Sequence, residues 1–408
     1  VSIDDHGRRD RAMESTAMES TQPWADHQYE IYLNGLMGAV PRLPTDLTRL
    51  EALVERRLGP GPVGYVAGGA GDGSTVRANR SALERWRIVP RMLRDVHERD
   101  LSVEVLGRRL PTPLALGPVG ILTILHPGAE PAAARAAAAH GVPYTLSSAS
   151  STPMEEVAEA MGDGERWFQL YWSRDREVTR SFLARAKAAG YSALFVTLDT
   201  PMLAWRPRDL DQAYLPFMHG LGTANYFSDP AFLAGLARPV AEDRQAAVRH
   251  FMGLFSDPGR TWPDLAFLRE NWDGPIVLKG VLHPDDARLA ADAGMDGVVV
   301  SNHGGRQVAG SVASADALPG VVAAAGDRLE VFFDSGVRTG DDVVKALALG
   351  ARAVLLGRPY AYGLALDGQA GVEHVLRCLL AEFDLTLALS GHARPDSLSP
   401  ADLVREAR

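Results

Sequence analysis

Eight short apolar runs alternating with helical segments predict an α/β chain folded as a (β/α)8 TIM barrel, with an N-terminal helical extension and a long lid insertion after strand four. Three observations underlie this. The runs are continuously apolar, as strands buried on both faces of a parallel sheet must be. Glycines end the intervening helices. The chain has 408 residues, 46% of them hydrophobic, and lies past the roughly 250 residues at which single cores split or adopt a barrel.

Taken in order, residues 1–24 contain a polar duplication (12–16 repeated as 17–21) with no period to bury, and read as a disordered leader. Residues 25–104 read as a helical segment packing on the barrel, and 105–408 as the barrel itself. Its strands are expected at 113–119, 144–149, 167–172 and 193–199, then at 275–281, 297–302, 330–336 and 353–358. Thr152-Pro153-Met154-Glu155 predicts a capping box with proline at the first helical position. Helices starting at Asp175, His283 and Thr339 are expected to stop at Gly190, Gly294 and Gly350. The spacing breaks once, between Asp199 and Pro275, where the connection is about three times longer than its neighbours. It holds Arg206-Pro207-Arg208-Asp209 and two aromatic clusters, at 214–217 and 225–230. Aromatics argue against disorder, so residues 205–265 read as a lid over the barrel mouth, with an oligomer contact as the other reading.

Composition narrows the function. A net charge of −9 and a pI near 5.7 argue against a nucleic-acid or anionic-membrane partner. No apolar stretch approaches the roughly 20 residues of a membrane span. The single Cys378 allows no internal disulfide and reads as a buried thiol in the helical pattern 372–383, in a reducing, cytoplasmic setting. No His, Asp or Glu spacing supports a metal site, and there is no Gly-x-Ser-x-Gly elbow. The glycine-rich stretch 68–73 follows no clear strand, which removes a dinucleotide fingerprint.

Barrel chemistry gathers where strands end. Strand three ends in Gln169 and Tyr171, strand four in Thr197 and Asp199, strand five in Lys279. Strand six runs into Ser-Asn-His-Gly-Gly-Arg-Gln (301–307). There His303, a base candidate, lies three residues from Arg306, a cation able to hold a carboxylate while the imidazole removes a proton. Strand seven ends in Asp334, Gly336 and Arg338, strand eight in Gly357 and Arg358. Those last two loops form the usual phosphate cradle of such barrels, so a phosphorylated cofactor or substrate is expected.

With these motifs in order, the chain resembles the FMN-dependent α-hydroxy acid oxidase and dehydrogenase family from about Tyr29 onward. Segments 29–38, 65–72, 205–209, 225–232 and 357–361 are most similar to its lactate 2-monooxygenase branch. The resemblance implies His303 as general base, Asp199 as its partner, Tyr171 beside the substrate oxygen and Lys279 at the flavin N1/O2 edge. It implies Tyr65 and Arg306 on the substrate carboxylate, with Arg206 adding charge nearby. FMN is implied against Pro118, Val119, Gly120, Ser147, Gln169, Thr197, Lys279 and Ser301, with Asp334, Gly336, Arg338, Gly357 and Arg358 on its ribityl chain and phosphate. The implied reaction is L-lactate and dioxygen to acetate, carbon dioxide and water. An oxidase releasing keto acid and hydrogen peroxide is the alternative, as is a larger hydroxy acid, because Ala149 stands where glycolate-oxidising relatives carry an aromatic residue. A non-catalytic flavin-binding protein is the reading from another class. A homo-oligomer, tetramer or octamer, is implied as well.

Overall fold

The computed structural model describes residues 23–406 and has a closed barrel of eight parallel strands at its centre. The chain enters through α1 (His27–Leu36), α2 (Leu50–Arg57), α3 (Pro60–Ala67) and α4 (Ser74–Glu84). A short strand β1 (Trp86–Ile88) and a hairpin of β2 (Val103–Val105) and β3 (Arg108–Leu110) follow. The leader expected over residues 1–24 lies outside the described residues except for Pro23 and Trp24; Trp24 opens a 3-10 turn and stacks on His140 at 6.0 Å.

The barrel begins with β4 (Leu114–Leu116), α5 (Ala129–Ala139), β5 (Tyr144–Ser147), α6 (Met154–Met161), β6 (Arg166–Tyr171), α7 (Arg176–Ala188) and β7 (Ala193–Thr197). After β7 the insertion forms α8 (Pro207–Leu210), α9 (Ala224–Phe227), α10 (Pro230–Ala234) and α11 (Arg244–Leu254), and α12 (Leu265–Asn271) leads back to the barrel. The second half is β8 (Ile276–Val281), α13 (Pro284–Asp292), β9 (Gly297–Val300), α14 (Ser314–Ala325), β10 (Glu330–Phe333), α15 (Gly340–Ala348) and β11 (Ala353–Leu356). α16 (Arg358–Leu389), broken at Asp367 and Gly368, and β12 (Leu403–Arg405) complete the chain. β11 closes onto β4, and β12 pairs antiparallel with β1.

Strand alternation explains both the core and the site. Trp167, Phe195, Val277, Val299 and Phe332 fill the barrel interior, with Trp167 stacked on Phe195 at 5.0 Å. Val105 and Leu110 of the hairpin plug it from one end. Side chains two residues on point the same way, so the next inward positions are Gln169, Thr197, Lys279, Ser301 and Asp334. Apart from β6, the observed strands are shorter than the apolar runs; Gln169, Thr197 and Lys279 stay within β6, β7 and β8, while Ser301 and Asp334 fall just past β9 and β10.

Helix ends follow local chemistry. Asp175 caps α7 by accepting from the Glu177 and Val178 N–H groups, and Thr339 with Asp342 makes a capping box on α15. Gly190, Gly294 and Gly350 have φ of +75°, +71° and +103°. The capping box expected at Thr152 does not form. Pro153 is the N-cap residue, Thr152 donates to the buried Glu130, and Glu155 is drawn outward to Arg185. The Met154 N–H is instead taken by Asn225 Oδ1, 2.8 Å away in the insertion.

The insertion is bolted down. Tyr226, Phe232 and Phe251 are fully buried in one aromatic cluster. Asp229, also buried, caps α10 and accepts from Ser181 and Arg185 of α7. Met202, Leu203 and Trp205, by contrast, face solvent at the insertion's start. Among the described residues, no helix is long and apolar enough to cross a membrane.

Candidate active site

The loop after β9 turns through three left-handed residues, His303, Gly304 and Gly305, at φ of +58°, +64° and +77°. Glycine is required at the last two: a Cβ on Gly305 would lie 2.6 Å from the Val76 nitrogen, and one on Gly304 2.8 Å from Arg358. His303 bears the strain itself, of order 1–3 kcal/mol for a non-glycine residue, because its surroundings leave no alternative. Ser301 Oγ accepts from the His303 N–H at 3.1 Å, and Ser335 Oγ accepts from the Gly304 N–H at 2.9 Å. Asn302 and Asn79 exchange paired amide hydrogen bonds of 2.8 and 2.7 Å.

This turn aims the imidazole. His303 Nδ1 lies 2.7 Å from Asp199 Oδ1, and Thr200 Oγ1 donates to the same oxygen at 3.1 Å. The ring's Nε2 points into a cavity, with Tyr171 Oη at 3.5 Å. Burial pushes the His303 pKa below its ordinary value, although Asp199 pulls the other way. For Asp199, burial works toward a higher pKa, but the charges of His303 and Lys279 prevail and lower it. The pair is therefore neutral imidazole and carboxylate at neutral pH, with the lone pair on Nε2.

Facing the imidazole is a group of guanidiniums. Arg306 lies over the Tyr65 ring at 5.3 Å and donates to the Gly68 carbonyl at 3.0 Å. Burial, with Arg206 and Arg358 nearby, lowers its pKa to about 9. Arg206 donates to the Arg306 carbonyl at 2.9 Å and is almost fully buried. Arg358 uses all three nitrogens on the carbonyls of Val66, Ala67, Gly68 and Gly304. It thus caps the C-terminal end of α3 and leaves little more than charge and one N–H for a phosphate.

Deeper in the barrel, Lys279 Nζ contacts Asp334 Oδ2 at 3.0 Å and Ser301 Oγ at 2.9 Å. Burial alone would lower its pKa, but Asp334 and Asp199 hold it above the ordinary lysine value, so it is an ammonium ion. Ser147, Gln169 and Thr197 form a hydrogen-bonded chain across β5, β6 and β7, at 2.9 and 2.8 Å.

The cavity, counting the open space at its mouth, spans about 1070 Å³. Of the positions expected to meet a flavin, Pro118, Val119, Gly120, Lys279, Asp334, Gly336, Arg338, Gly357 and Arg358 line it. Ser147, Gln169, Thr197 and Ser301 stand one layer behind. Tyr65, Tyr171, Arg206, His303 and Arg306 share the cavity, while Asp199 supports it from outside. The Arg338 guanidinium makes one hydrogen bond among the described residues, to the neighbouring Val337 carbonyl, and burial beside Arg358 lowers its pKa to about 10. A partly desolvated guanidinium so poorly paired suits an anion, and Gly336 and Gly357 bring backbone within reach, which is the donor set an FMN phosphate needs.

Several members of the site were not singled out from sequence. Thr200 and Ser335 neighbour assigned residues, but their hydroxyl contacts have no sequence signal. Leu203, Phe217 and Phe255 line an apolar side of the cavity with Ala149. Their arrival there depends on how the insertion folds back.

Comparison with known proteins gives the family and the fold. A model of the FMN-dependent dehydrogenase family matches residues 54–405. An FMN-dependent alpha-hydroxy acid dehydrogenase of Penicillium citrinum is 46% identical over 90% of this chain and 92% of its own length. An L-lactate oxidase of Lysinibacillus sphaericus is 42% identical, over 92% of this chain and 96% of its own. Among solved structures, mandelate oxidase superposes with a TM-score of 0.79 at 38% identity, covering 89% of this chain and 99% of the other.

Proposed function

The chain belongs to the FMN-dependent dehydrogenase family, and from that premise we propose that it oxidises L-lactate with dioxygen to acetate, carbon dioxide and water. Membership carries the coarser part: FMN is the cofactor, and the reaction is the oxidation of a 2-hydroxy acid. The observation that carries the assignment of residues is the His303–Asp199 pair, whose free Nε2 shares one cavity with Arg306 and Tyr65.

Arg306 and Tyr65 receive the substrate carboxylate, and Arg206 adds charge beside it. His303 Nε2 takes a proton from the substrate, and Asp199 stabilises the imidazolium that results. Tyr171 orients the substrate oxygen. Lys279, kept charged by Asp334, would offer a cation to the N1/O2 edge of the flavin ring. Pro118, Val119 and Gly120 would hold the ring, backed by Ser147, Gln169, Thr197 and Ser301. Asp334 would hold the ribityl chain, and Gly336, Arg338, Gly357 and Arg358 the phosphate. FMN, when bound, supplies a two-electron acceptor that is reoxidised by dioxygen.

What separates acetate from pyruvate is retention. Keto acid held beside newly formed hydrogen peroxide is decarboxylated by it; keto acid that leaves first is released as pyruvate with peroxide. Phe217 and Phe255, from a tightly packed insertion, line the cavity and support retention. A larger 2-hydroxy acid is the second reading, favoured by the small Ala149 on the same wall. The experiment is aerobic turnover of L-lactate by the FMN-loaded protein, with acetate, pyruvate and peroxide quantified together. Acetate without peroxide is expected. Pyruvate with equal peroxide makes the protein an oxidase, and no turnover directs attention to bulkier acids.

We also propose a homo-oligomer. α1 has no buried residue, yet it exposes Tyr29, Tyr32, Leu33 and Leu36. A ten-residue helix is marginal without a packed face, and a second copy supplies one. Light scattering that gives the mass of a monomer removes this reading.

A further inference from the structure

Gln307 closes the loop that carries His303 and Arg306, and its side chain lies outside the cavity wall. Its amide joins two loops. Oε1 accepts from Arg206 Nη2 at 2.5 Å, while Nε2 donates to the Asp199 carbonyl at 2.7 Å and the Met202 carbonyl at 3.3 Å. The orientation of the amide is fixed by chemistry. A guanidinium only donates and a carbonyl only accepts, so oxygen must face Arg206 and nitrogen the two carbonyls. Glutamate would keep the first contact and lose the other two; methionine would lose all three.

The consequence for Arg206 is directional. Its Nε is held by the Arg306 carbonyl at 2.9 Å and its Nη2 by Gln307. A guanidinium is planar, so fixing two of its nitrogens fixes the third. Nη1, which has no hydrogen bond among the described residues, is left for the cavity that Arg206 lines. The second consequence concerns the segment from Asp199 to Arg206. Met202 and Trp205 are 61% and 74% exposed, so few packed contacts hold it. The Asp199 and Arg206 side chains tie its two ends to His303 and Arg306, and the Gln307 amide adds ties to the backbone between them, at the Asp199 and Met202 carbonyls.

We propose that Gln307 is a positioning residue that aims Arg206 at the substrate and fastens the start of the insertion. This rests on the reading of Arg206 as a substrate contact. The test is a double-mutant cycle on the holoenzyme, with oxalate as a planar anionic probe and flavin absorbance as the readout. Q307M is expected to weaken oxalate binding about tenfold or more, the scale of a hydrogen bond to a charged group. R206M is expected to weaken it at least as much, and the double variant no further than R206M alone. If Q307M costs the same factor in the R206M background, Gln307 acts through general structure and the proposal is overturned. Should Q307M fail to hold FMN, Q307E replaces it: retained oxalate affinity supports the clamp on Arg206, and a tenfold loss overturns it. Wild-type protein that binds no oxalate overturns the reading of the site itself, and shows this before any variant is made.

Discussion

Asp199 offers one carboxylate oxygen to His303 Nδ1 at 2.7 Å, and its other oxygen, Oδ2, is buried without a hydrogen-bond partner among the described residues. Apart from the Thr200 hydroxyl, which donates to the same oxygen as the imidazole, the acid has no other hydrogen-bond partner for its side chain among the described residues. It acts on His303 through its charge as well as its geometry.

Asp199→Asn separates the two. An asparagine oxygen still accepts from Nδ1–H, so the ring keeps its place while the charge is lost. As the proposed base, His303 acts in its neutral form above its pKa, which burial places below the ordinary histidine value while Asp199 raises it. In the wild type, kcat/KM should thus rise with pH through that lowered pKa and level off by neutrality. In the variant the acid limb should move to lower pH, since the upward pull is gone. The plateau should fall about 10²–10⁴-fold, because the imidazolium formed in the reaction is no longer stabilised. A limb that moves upward, or an unchanged plateau, sinks the pairing as the source of base strength.

The barrel was legible because strand alternation writes the same rule twice: Trp167 and Gln169, Phe195 and Thr197, Val277 and Lys279 differ only in which layer they reach. The loop that carries His303 was legible through Gly304 and Gly305, but its left-handed path at His303 itself was not. Less visible were contacts closed over long separations. The Met154 N–H is capped from Asn225, and no local pattern announces that. The β2–β3 hairpin has three-residue strands joined at Leu106 and Gly107, with φ of +50° and +73°, too short for a periodic signal. Arg358 sits where a phosphate ligand is expected, but the α3 carbonyls that claim most of its donors lie some 290 positions earlier in the chain.

Arg338 differs from Arg358 in being nearly unpaired, and that difference is measurable. Arg338→Met should weaken FMN binding about 10–100-fold, the scale of hydrogen bonds to a charged group. Riboflavin, which lacks the phosphate, should bind variant and wild type alike, and removing a desolvated charge gives no reason for weaker binding. Flavin fluorescence quenching reads both. Equal losses for the two flavins would place Arg338 away from the phosphate.

Asn225 couples the insertion to the barrel through the Met154 N–H at 2.8 Å and the Ser148 carbonyl at 3.3 Å, and is fully buried. Asn225→Ala leaves both backbone groups buried and unpaired, which costs roughly 1–3 kcal/mol for each. The urea midpoint of the FMN-loaded protein should fall accordingly. Limited proteolysis should cut residues 205–235 faster than in wild type. A lowered midpoint with unchanged cleavage would mean that the bond stabilises α6 alone and not the insertion.

On the proposed reading, Ala149 sets how much room the substrate side chain has. It follows β5 on the cavity wall beside Gly120, where an added Cβ would come within 3.2 Å of the Ala149 Cβ, and it shares the cavity with Phe217, Phe255 and Leu203. A ring introduced by Ala149→Phe has to enter that apolar space, since Gly120 and Gly222 leave none behind it. Lactate, with a single methyl group, should lose little kcat/KM. 2-Hydroxy-4-methylpentanoate should lose about tenfold or more relative to lactate, within the range by which apolar pockets discriminate added methylenes. The comparison is made by anaerobic flavin reduction, which avoids the oxygen step and so reads the pocket alone. A proportional loss for both acids would show that Ala149 borders the reacting carbon and not the side chain, and the case for a larger natural substrate would lose its support.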